Sequence, residues 1–201
     1  MSKYFDVYIA GLGGQGVLTI GELLAKAGLK KGLPVNFYPT KGMSQRGGFV
    51  QGQLRFGREN VGPSLPSMGA DLVVSMERSE SLKGVKYIKR GGEFLLYDDT
   101  WFTSAVITKK AQYPALVDVQ KEIKEAGARL YCLSSGNIPK VDGATVHANM
   151  YILGALLSNT ALGELFTLEE ISAMTKEEFQ KNADSNIAAL EAGHASALET
   201  A

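Results

Sequence analysis

Residues 5–17 read FDVYIAGLGGQGV, a short apolar run followed by closely spaced glycines. The apolar run at 5–10 predicts a strand that is buried on both faces, as the strands of a parallel sheet are. From 17 to 30 apolar residues recur at helical spacing, and Gly32 then provides a glycine stop. This stretch therefore predicts a strand, a glycine turn and a helix in direct succession.

The rest of the chain continues the alternation of strands and helices. Further strand patterns occupy residues 34–38, 49–56, 71–76, 93–97 and 129–133, helical patterns occupy 77–89 and 117–126, and helices fill the chain from 146 onward. The strand at 34–38 completes a first β-α-β unit, whose crossover should be right-handed. Because no linker divides the pattern, residues 1–201 are expected to form one α/β domain. Its expected architecture is three α/β/α layers with a mostly parallel sheet and a Rossmann-like first β-α-β unit.

Two segments are candidate partner surfaces. Polar residues interrupt the strand at 49–56, which predicts that one of its faces is exposed. The segment at 175–198 is acidic and amphipathic, which predicts a surface helix.

The composition is that of an ordinary globular protein. The 201 residues are 45% apolar and carry 21 Lys+Arg against 21 Asp+Glu, so the formal charge is zero. This balance gives no reason to expect a nucleic-acid or membrane partner. The chain shows neither a signal peptide nor an apolar run of membrane-spanning length, which favours a cytoplasmic protein. The single Cys132 excludes an internal disulfide and any all-cysteine metal site within the chain, and it is expected to be a buried strand residue.

The glycine turn fits the pattern G-x-G-x-x-G, formed by Gly11, Gly13, Gly14, Gln15 and Gly16. Glycines permit a tight turn, and the following helix presents unpaired N–H groups and the positive end of its dipole to an anion. Two interpretations are open. The turn binds a phosphate-bearing ligand, or its glycines only allow a helix and a strand to pack closely.

An ordinary dinucleotide site also needs an acidic residue at the end of the second strand, where it binds the ribose hydroxyls. The chain has no Asp or Glu between Glu22 and Glu59. That interval instead contains the cations Lys26, Lys30, Lys31, Lys41, Arg46, Arg55 and Arg58. Because Lys41 or Arg46 suits a 2′-phosphate, NADP remains open, but the pattern disfavours a common nicotinamide site.

A second glycine cluster follows the second strand and is expected to lie beside the first, because the carboxyl ends of parallel strands meet at one sheet edge. It consists of Gly42, Met43, Ser44, Gln45, Arg46, Gly47 and Gly48. The planar guanidinium of Arg46 suits a phosphate or carboxylate, and a structural ion pair is the alternative. The two clusters together predict an anion site or a docking edge for a partner loop.

The chain offers no nucleophile with an adjacent base, so no catalytic residue is predicted. His147 and His194 lack metal-ligand spacing and indicate structural or surface positions. The aspartates at 98–99 follow a strand and favour a solvated turn or helix caps over a carboxylate pair. Glu77 and Glu80 suit the dipole at the start of the predicted helix.

These motifs together resemble the gamma subunit of 2-oxoacid:ferredoxin oxidoreductases over nearly the whole chain. The matching stretches are GLGGQGV at 11–17, GMSQRGG at 42–48, GADLVVSMERSESL at 69–82, and a tail from His147 that includes 149–150, 154–156 and 186–193. The GMSQRGG form is closer to the aryl-2-oxoacid branch of indolepyruvate- and phenylglyoxylate-type enzymes. Arg78 and Ser79 depart from the apolar residue and proline common in the family, which weakens any carry-over to Ser75 and Glu77.

The resemblance implies a non-catalytic gamma subunit in a complex that converts a 2-oxoacid and coenzyme A to acyl-CoA, CO2 and a reduced acceptor. It implies that alpha, beta and ferredoxin-like partner subunits carry thiamine diphosphate and iron–sulfur clusters. Ferredoxin or an NAD-reducing subunit would accept the electrons. The gamma subunit would contribute to the coenzyme A site through Gly11, Gly13, Gly14, Gln15, Gly16, Gly42, Met43, Ser44, Gln45, Arg46, Gly47 and Gly48.

Two other functions compete with this one. The first is a stand-alone NAD(P)- or flavin-binding oxidoreductase, which rests on the turn at 11–16 and lacks the acidic residue after the second strand. The second is an interaction module whose loops bind only protein.

Overall fold

The computed structural model contains one large twisted sheet, to which strands from both ends of the chain contribute. The structure describes residues 4–41, 47–62, 64–102, 104–109, 112–141 and 144–200. The strands within these residues are β1 Phe5–Leu12, β2 Val35–Lys41, β3 Phe49–Phe56, β4 Ala70–Ser75, β5 Ile88–Asp98, β6 Arg129–Ser134, β7 Lys140–Val141, β8 Ala144–Thr145 and β9 Glu199–Thr200. In this part of the chain, seven of them form the sheet in the order β2-β3-β1-β4-β5-β6-β9, and β7 pairs only with β8.

Five strands of the sheet point in the same direction, as a mostly parallel sheet requires. β1, β4, β5 and β6 pair in parallel, whereas β3 is antiparallel to both β1 and β2, so that β1 and β2 run the same way. The first β-α-β unit is therefore present, but β3 lies inside it. The chain leaves β2, turns back as β3 and inserts between β2 and β1, pairing Phe49 with Leu12 and Val50 with Lys41.

The predicted exposed face of the strand at 49–56 is wrong, because six of the eight residues of β3 are buried and the other two are half-buried. Two of its polar side chains are buried with partners: Gln53 accepts a hydrogen bond from the Leu65 N–H at 2.6 Å, and Arg55 pairs with Asp6 of β1 at 3.2 Å. A buried polar group is tolerated when it is hydrogen-bonded. β3 is therefore not a partner surface.

Helices cover both faces of the sheet, which confirms the three-layer α/β/α architecture. The helices within the described residues are α1 Val17–Lys30, α2 Ser81–Val85, α3 Ser104–Ile107, α4 Leu116–Glu125, α5 Ala148–Asn159, α6 Leu162–Leu165, α7 Leu168–Phe179 and α8 Ala183–His194. Alternate residues of β1 enter opposite cores, as the two-residue period of a strand dictates. Val7 and Ile9 pack with α1 and α5–α8, whereas Tyr8 and Ala10 pack on the side of α2 and α4.

The helix predicted at 77–89 is wrong in extent. Only Ser81–Val85 is α-helical, and β5 begins at Ile88 and runs for 11 residues to Asp98. Residues 76–80 form a turn in which the Glu77 carboxylate accepts the Glu80 N–H at 2.9 Å. Within β5, Gly91 adopts a positive φ of 77°, at the register shift between the pairs Ala70–Ile88 and Leu72–Glu93.

The helical C-terminal region is confirmed, with a break and a final strand added. Gln180, at a positive φ of 32°, separates α7 from α8 within the acidic segment. α5 and α8 cross with their backbones in close contact, because Gly154 and Gly193 face each other's helix without a side chain. Among the described helices, none has the length and apolar character needed to cross a membrane.

Candidate functional site

The glycine turn lies between β1 and α1 at the carboxyl edge of the parallel strands. Gly14 (φ 104°) and Gly16 (φ 81°) both adopt the left-handed conformations that favour glycine. Gly14 is exposed, and nothing lies within 4 Å of the position that its Cβ would occupy. The turn therefore has an open side on which a ligand can approach the backbone.

Gln15 and Gly11 hold the turn in place. The Gln15 side chain donates from Nε2 to the Met76 carbonyl at 2.9 Å and accepts the Leu12 N–H at 2.8 Å through Oε1. A Cβ on Gly11 would lie 2.8 Å from both Gln15 Oε1 and Val17 Cγ2. Close packing thus accounts for the glycine at 11, while the exposed position of the turn is Gly14.

The end of the second glycine cluster lies against the first, as predicted. Gly13 donates its N–H to the Gly48 carbonyl at 2.8 Å, and Gly47 donates its N–H to the Gly13 carbonyl at 3.2 Å. This adjacency follows from the insertion of β3, whose first residue pairs with the last residue of β1. Gly42, Met43, Ser44, Gln45 and Arg46 lie outside the described residues, so their expected place on the rim stays a prediction.

Two helices begin at this edge, beside the turn. Neither α1 nor α5 has a side chain that caps its first turn or an acidic residue in that turn. Their starts are adjacent, because a Cβ on Gly16 would lie 2.5 Å from Nδ2 of Asn149 in the first turn of α5. Both N-termini contribute unpaired N–H groups and positive dipole ends to the edge, which suits an anion. Of these two helix N-termini, the sequence predicted only that of α1 as part of the site.

Most of the cations between Glu22 and Glu59 are engaged away from the turn. Three lysines of the α1 region pair with α7, namely Lys26 with Glu178 at 2.5 Å, Lys30 with Glu177 at 2.8 Å and Lys31 with Glu170 at 2.9 Å. Arg55 and Arg58 pair with Asp6, at the opposite end of β1. Of the other two cations, Lys41 is the last residue of β2, and Arg46 lies outside the described residues.

A buried carboxylate stands next to the turn, at the end of β4. Glu77 is fully buried and accepts hydrogen bonds from the Ser79 hydroxyl at 2.6 Å, the Glu80 N–H at 2.9 Å, the Trp101 N–H at 3.4 Å and the Tyr113 hydroxyl. Burial, together with Glu77, raises the pKa of Tyr113, which keeps this hydroxyl a donor. Glu77 therefore anchors Trp101 and Tyr113 to the turn after β4. The helix-dipole role predicted for it is wrong, because α2 begins at Ser81 and has no acidic residue in its first turn.

The solvated turn or helix caps predicted at 98–99 are wrong, because Asp98 is the last residue of β5 and Asp99 follows it outside any helix, strand or turn. Asp98 pairs with Arg78 at 2.7 Å, and this hydrogen bond raises the pKa of the Arg78 guanidinium. Asp99 accepts the Thr100 N–H at 2.9 Å and the Trp101 indole N–H at 2.8 Å. Both carboxylates thus have structural partners.

The remaining polar candidates lie in structural positions. His147 precedes α5 as its N-cap residue, and His194 is in the last turn of α8. Cys132 lies on β6 as predicted, although it is only half-buried and accepts a hydrogen bond from Gln120 Nε2 at 3.2 Å. Among the residues that the structure describes, no group of three or more His, Cys, Asp or Glu side chains is placed to hold a metal ion.

Comparison with known proteins agrees with the motifs. The family model described as pyruvate ferredoxin/flavodoxin oxidoreductase matches residues 6–196. The indolepyruvate oxidoreductase subunit IorB of Archaeoglobus fulgidus is 28% identical over 194 residues, covering 96% of this chain and 95% of that protein. This similarity confirms the resemblance based on 11–17 and 42–48, including its closeness to the indolepyruvate-type branch.

Two solved structures share the fold. The pyruvate oxidoreductase subunit PORC from Thermotoga maritima superposes with a TM-score of 0.69 at 23% identity, covering 96% of both chains. The 2-oxoglutarate:ferredoxin oxidoreductase from Magnetococcus marinus, solved with 2-oxoglutarate, coenzyme A and succinyl-CoA bound, gives a TM-score of 0.68 at 22% identity. The match covers 97% of this chain and 31% of that one.

Proposed function

Because this chain belongs to the pyruvate ferredoxin/flavodoxin oxidoreductase family, we propose that it is the small, non-catalytic gamma-type subunit of a 2-oxoacid oxidoreductase complex. The complex converts a 2-oxoacid and coenzyme A to acyl-CoA, CO2 and a reduced acceptor. Residues 1–201 act in it as one domain. The similarity to an indolepyruvate oxidoreductase subunit supports an aryl 2-oxoacid as the substrate class.

The redox and decarboxylating chemistry belongs to partner subunits in this proposal. Alpha, beta and ferredoxin-like subunits hold the thiamine diphosphate and the iron–sulfur clusters, and ferredoxin or an NAD-reducing subunit accepts the electrons. The composition of this chain supports that division, because a single cysteine cannot ligate a cysteine-bound cluster. The contribution of this chain is to bind coenzyme A and to orient the carrier towards the partner subunit that forms the acyl group.

The observation that carries the proposal is the open backbone edge around Gly14. Two uncapped helix N-termini and two glycine segments meet there, and Gly14 faces open space. Coenzyme A is rich in phosphate, and phosphates bind to backbone N–H groups at helix N-termini. Gly11 and Gln15 shape the turn, and the segment at 42–48 supplies the cationic side through Arg46.

The position of β3 disfavours the stand-alone dinucleotide enzyme. In a dinucleotide-binding fold the second strand lies next to the first, so that its terminal acid reaches the ribose. Here β3 separates β2 from β1, which moves the end of β2 to roughly 10 Å from β1, at about 4.8 Å per strand. The residue at that end is Lys41 rather than an acid.

We expect Arg46→Ala to raise the Michaelis constant of the assembled complex for coenzyme A by about 10- to 100-fold. A charge-assisted hydrogen bond to a phosphate contributes on the order of 1.5–3 kcal/mol, and its loss weakens binding accordingly. Steady-state kinetics with varied coenzyme A at saturating 2-oxoacid measure the effect.

Lys30→Ala is the matched control, because it removes a cation that pairs with α7 at the exposed surface. This variant should leave the Michaelis constant for coenzyme A unchanged and alter the free energy of unfolding by less than about 1 kcal/mol. If Arg46→Ala leaves the constant unchanged while the complex fails to assemble, the segment is a protein-docking loop and the proposal is wrong.

A further inference from the structure

The only tryptophan of the chain is held in place and remains accessible to solvent. The Trp101 indole donates its N–H to Asp99 at 2.8 Å, and its backbone N–H donates to the buried Glu77 at 3.4 Å. The residue is nevertheless 43% exposed. Two anchors therefore fix the indole while much of its surface stays open, as a stacking platform requires.

Two further rings continue this surface. Phe102 is 60% exposed and meets the ring of Tyr113 edge-to-face, with centroids 5.3 Å apart. The Tyr113 hydroxyl donates to Glu77, so the same buried carboxylate holds both ends of the group. We call Trp101, Phe102 and Tyr113 the aromatic ledge.

The aromatic ledge lies at the same sheet edge as the glycine turn, two strands away. The ledge follows β5, the turn follows β1, and β4 lies between them. At about 4.8 Å per strand, this separation is roughly 10 Å. Hydrogen bonds connect the three loops, because Gln15 donates to the Met76 carbonyl and the Arg78 N–H donates to the Asp99 carbonyl. The separation matches the span between the phosphates and the base of an extended nucleotide.

The charges at the two positions differ in a way that orients a nucleotide. Glu77, Asp98 and Asp99 gather at the ledge, where a phosphate would be repelled. The first turns of α1 and α5, at the glycine turn, carry no acidic residue. Phosphates therefore favour the glycine turn, whereas an uncharged aromatic base favours the ledge.

We propose that the aromatic ledge binds the adenine ring of coenzyme A while the phosphates of the same molecule lie at the glycine turn. Trp101 determines specificity for the nucleotide half of the carrier, and Glu77 positions the ledge. This inference rests on the proposed function, since it assigns one part of the same ligand to a second surface of the same edge.

The test compares Trp101→Ala and Trp101→Leu with the parent complex. Stacking of a base on an aromatic side chain contributes enough that both variants should raise the Michaelis constant for coenzyme A by about 5- to 150-fold. Turnover at saturating coenzyme A should stay near that of the parent. With pantetheine, which carries the thiol without the nucleotide, the variants and the parent should give the same constant.

Controls separate the possible failures. Leu29→Ala removes an exposed apolar side chain from the far end of α1 and should change nothing. If Arg46→Ala raises the constant for coenzyme A and neither Trp101 variant does, the ledge assignment is overturned while the proposed function stands. If neither Arg46→Ala nor the Trp101 variants change the Michaelis constant for coenzyme A, both the proposed function and the ledge assignment are wrong. In a third outcome, both Trp101 variants fail to assemble while any residual complex keeps the parent's Michaelis constant for coenzyme A. That result would show that a partner subunit covers the ledge, and it would overturn the assignment of the ledge to adenine.

Discussion

Gly193→Ala is expected to lower the free energy of unfolding by about 3 kcal/mol, since overpacking against a rigid neighbour costs that much. A Cβ at this position would lie 1.9 Å from the Tyr151 carbonyl oxygen and 3.0 Å from the Ala155 nitrogen. Both are backbone atoms, which cannot rotate away as a side chain can, so α5 and α8 must separate. Urea unfolding followed by circular dichroism measures the loss.

Gly154→Ala, on the other helix, should have a similar effect, because its Cβ would lie 1.9 Å from the Leu190 carbonyl oxygen. Gly62→Ala is the matched control. Nothing lies within 4 Å of its Cβ position, and its φ is outside the left-handed region. It should be neutral or stabilise the protein by up to about 1 kcal/mol. If Gly193→Ala and Gly62→Ala unfold at the same urea concentration, the close crossing of α5 and α8 is wrong.

Glu77→Ala is expected to lower the free energy of unfolding by about 2–4 kcal/mol. The carboxylate satisfies four donors, and each buried donor left without an acceptor costs about 1–3 kcal/mol, with some relief from water. The change should also release Trp101 and Tyr113 from the turn after β4. Thermal unfolding measures the first effect, and a red shift of the Trp101 fluorescence of the isolated chain measures the second.

Two further variants serve as controls for Glu77→Ala. Glu77→Gln keeps one acceptor oxygen for the Glu80 N–H. The hydroxyls of Ser79 and Tyr113 can rotate and accept hydrogen bonds from the new amide N–H groups. It should therefore lose less stability than the alanine variant. Glu122→Ala removes an exposed carboxylate from α4 and should change stability by less than about 0.5 kcal/mol. A Glu77→Ala protein as stable as Glu122→Ala, with unshifted fluorescence, would show that the carboxylate does not anchor the ledge.

The sequence predicted the elements of this fold better than their arrangement. Apolar periodicity identified β1, α1 and β4, because each buries a continuous face. It does not specify which strands pair, so it missed the insertion of β3 between β1 and β2. The polar residues of β3 indicated exposure, since nothing local shows that Asp6 and Leu65 satisfy Arg55 and Gln53.

The candidate site was predicted in part, for the same reason. The motif at 11–16 specifies its own conformation. Gly48 lies beside Gly13 as predicted, but the reason is that β3 is inserted next to β1, which strand direction alone does not show. The count of cations was less informative, because Lys26, Lys30 and Lys31 pair with α7, which lies more than 130 residues away in the chain.

Glu77 and Trp101 were missed because their roles depend on tertiary contacts. Glu77 looked like a helix-dipole residue, since its donors Trp101 and Tyr113 come from a segment 24 and 36 residues downstream. Trp101 belongs to no strand or helix, and no periodicity identifies it. A lone tryptophan just after a predicted strand was the one available signal.

Hydrogen exchange on the assembled complex, with and without coenzyme A, tests the central claim most directly. If the glycine edge binds the carrier, the amides of residues 13–19 and 47–48 should exchange more slowly when coenzyme A is present. Those of residues 57–62, which follow β3 at the other end of the sheet, should not change. Unchanged exchange at 13–19 in a complex saturated with coenzyme A would contradict the account.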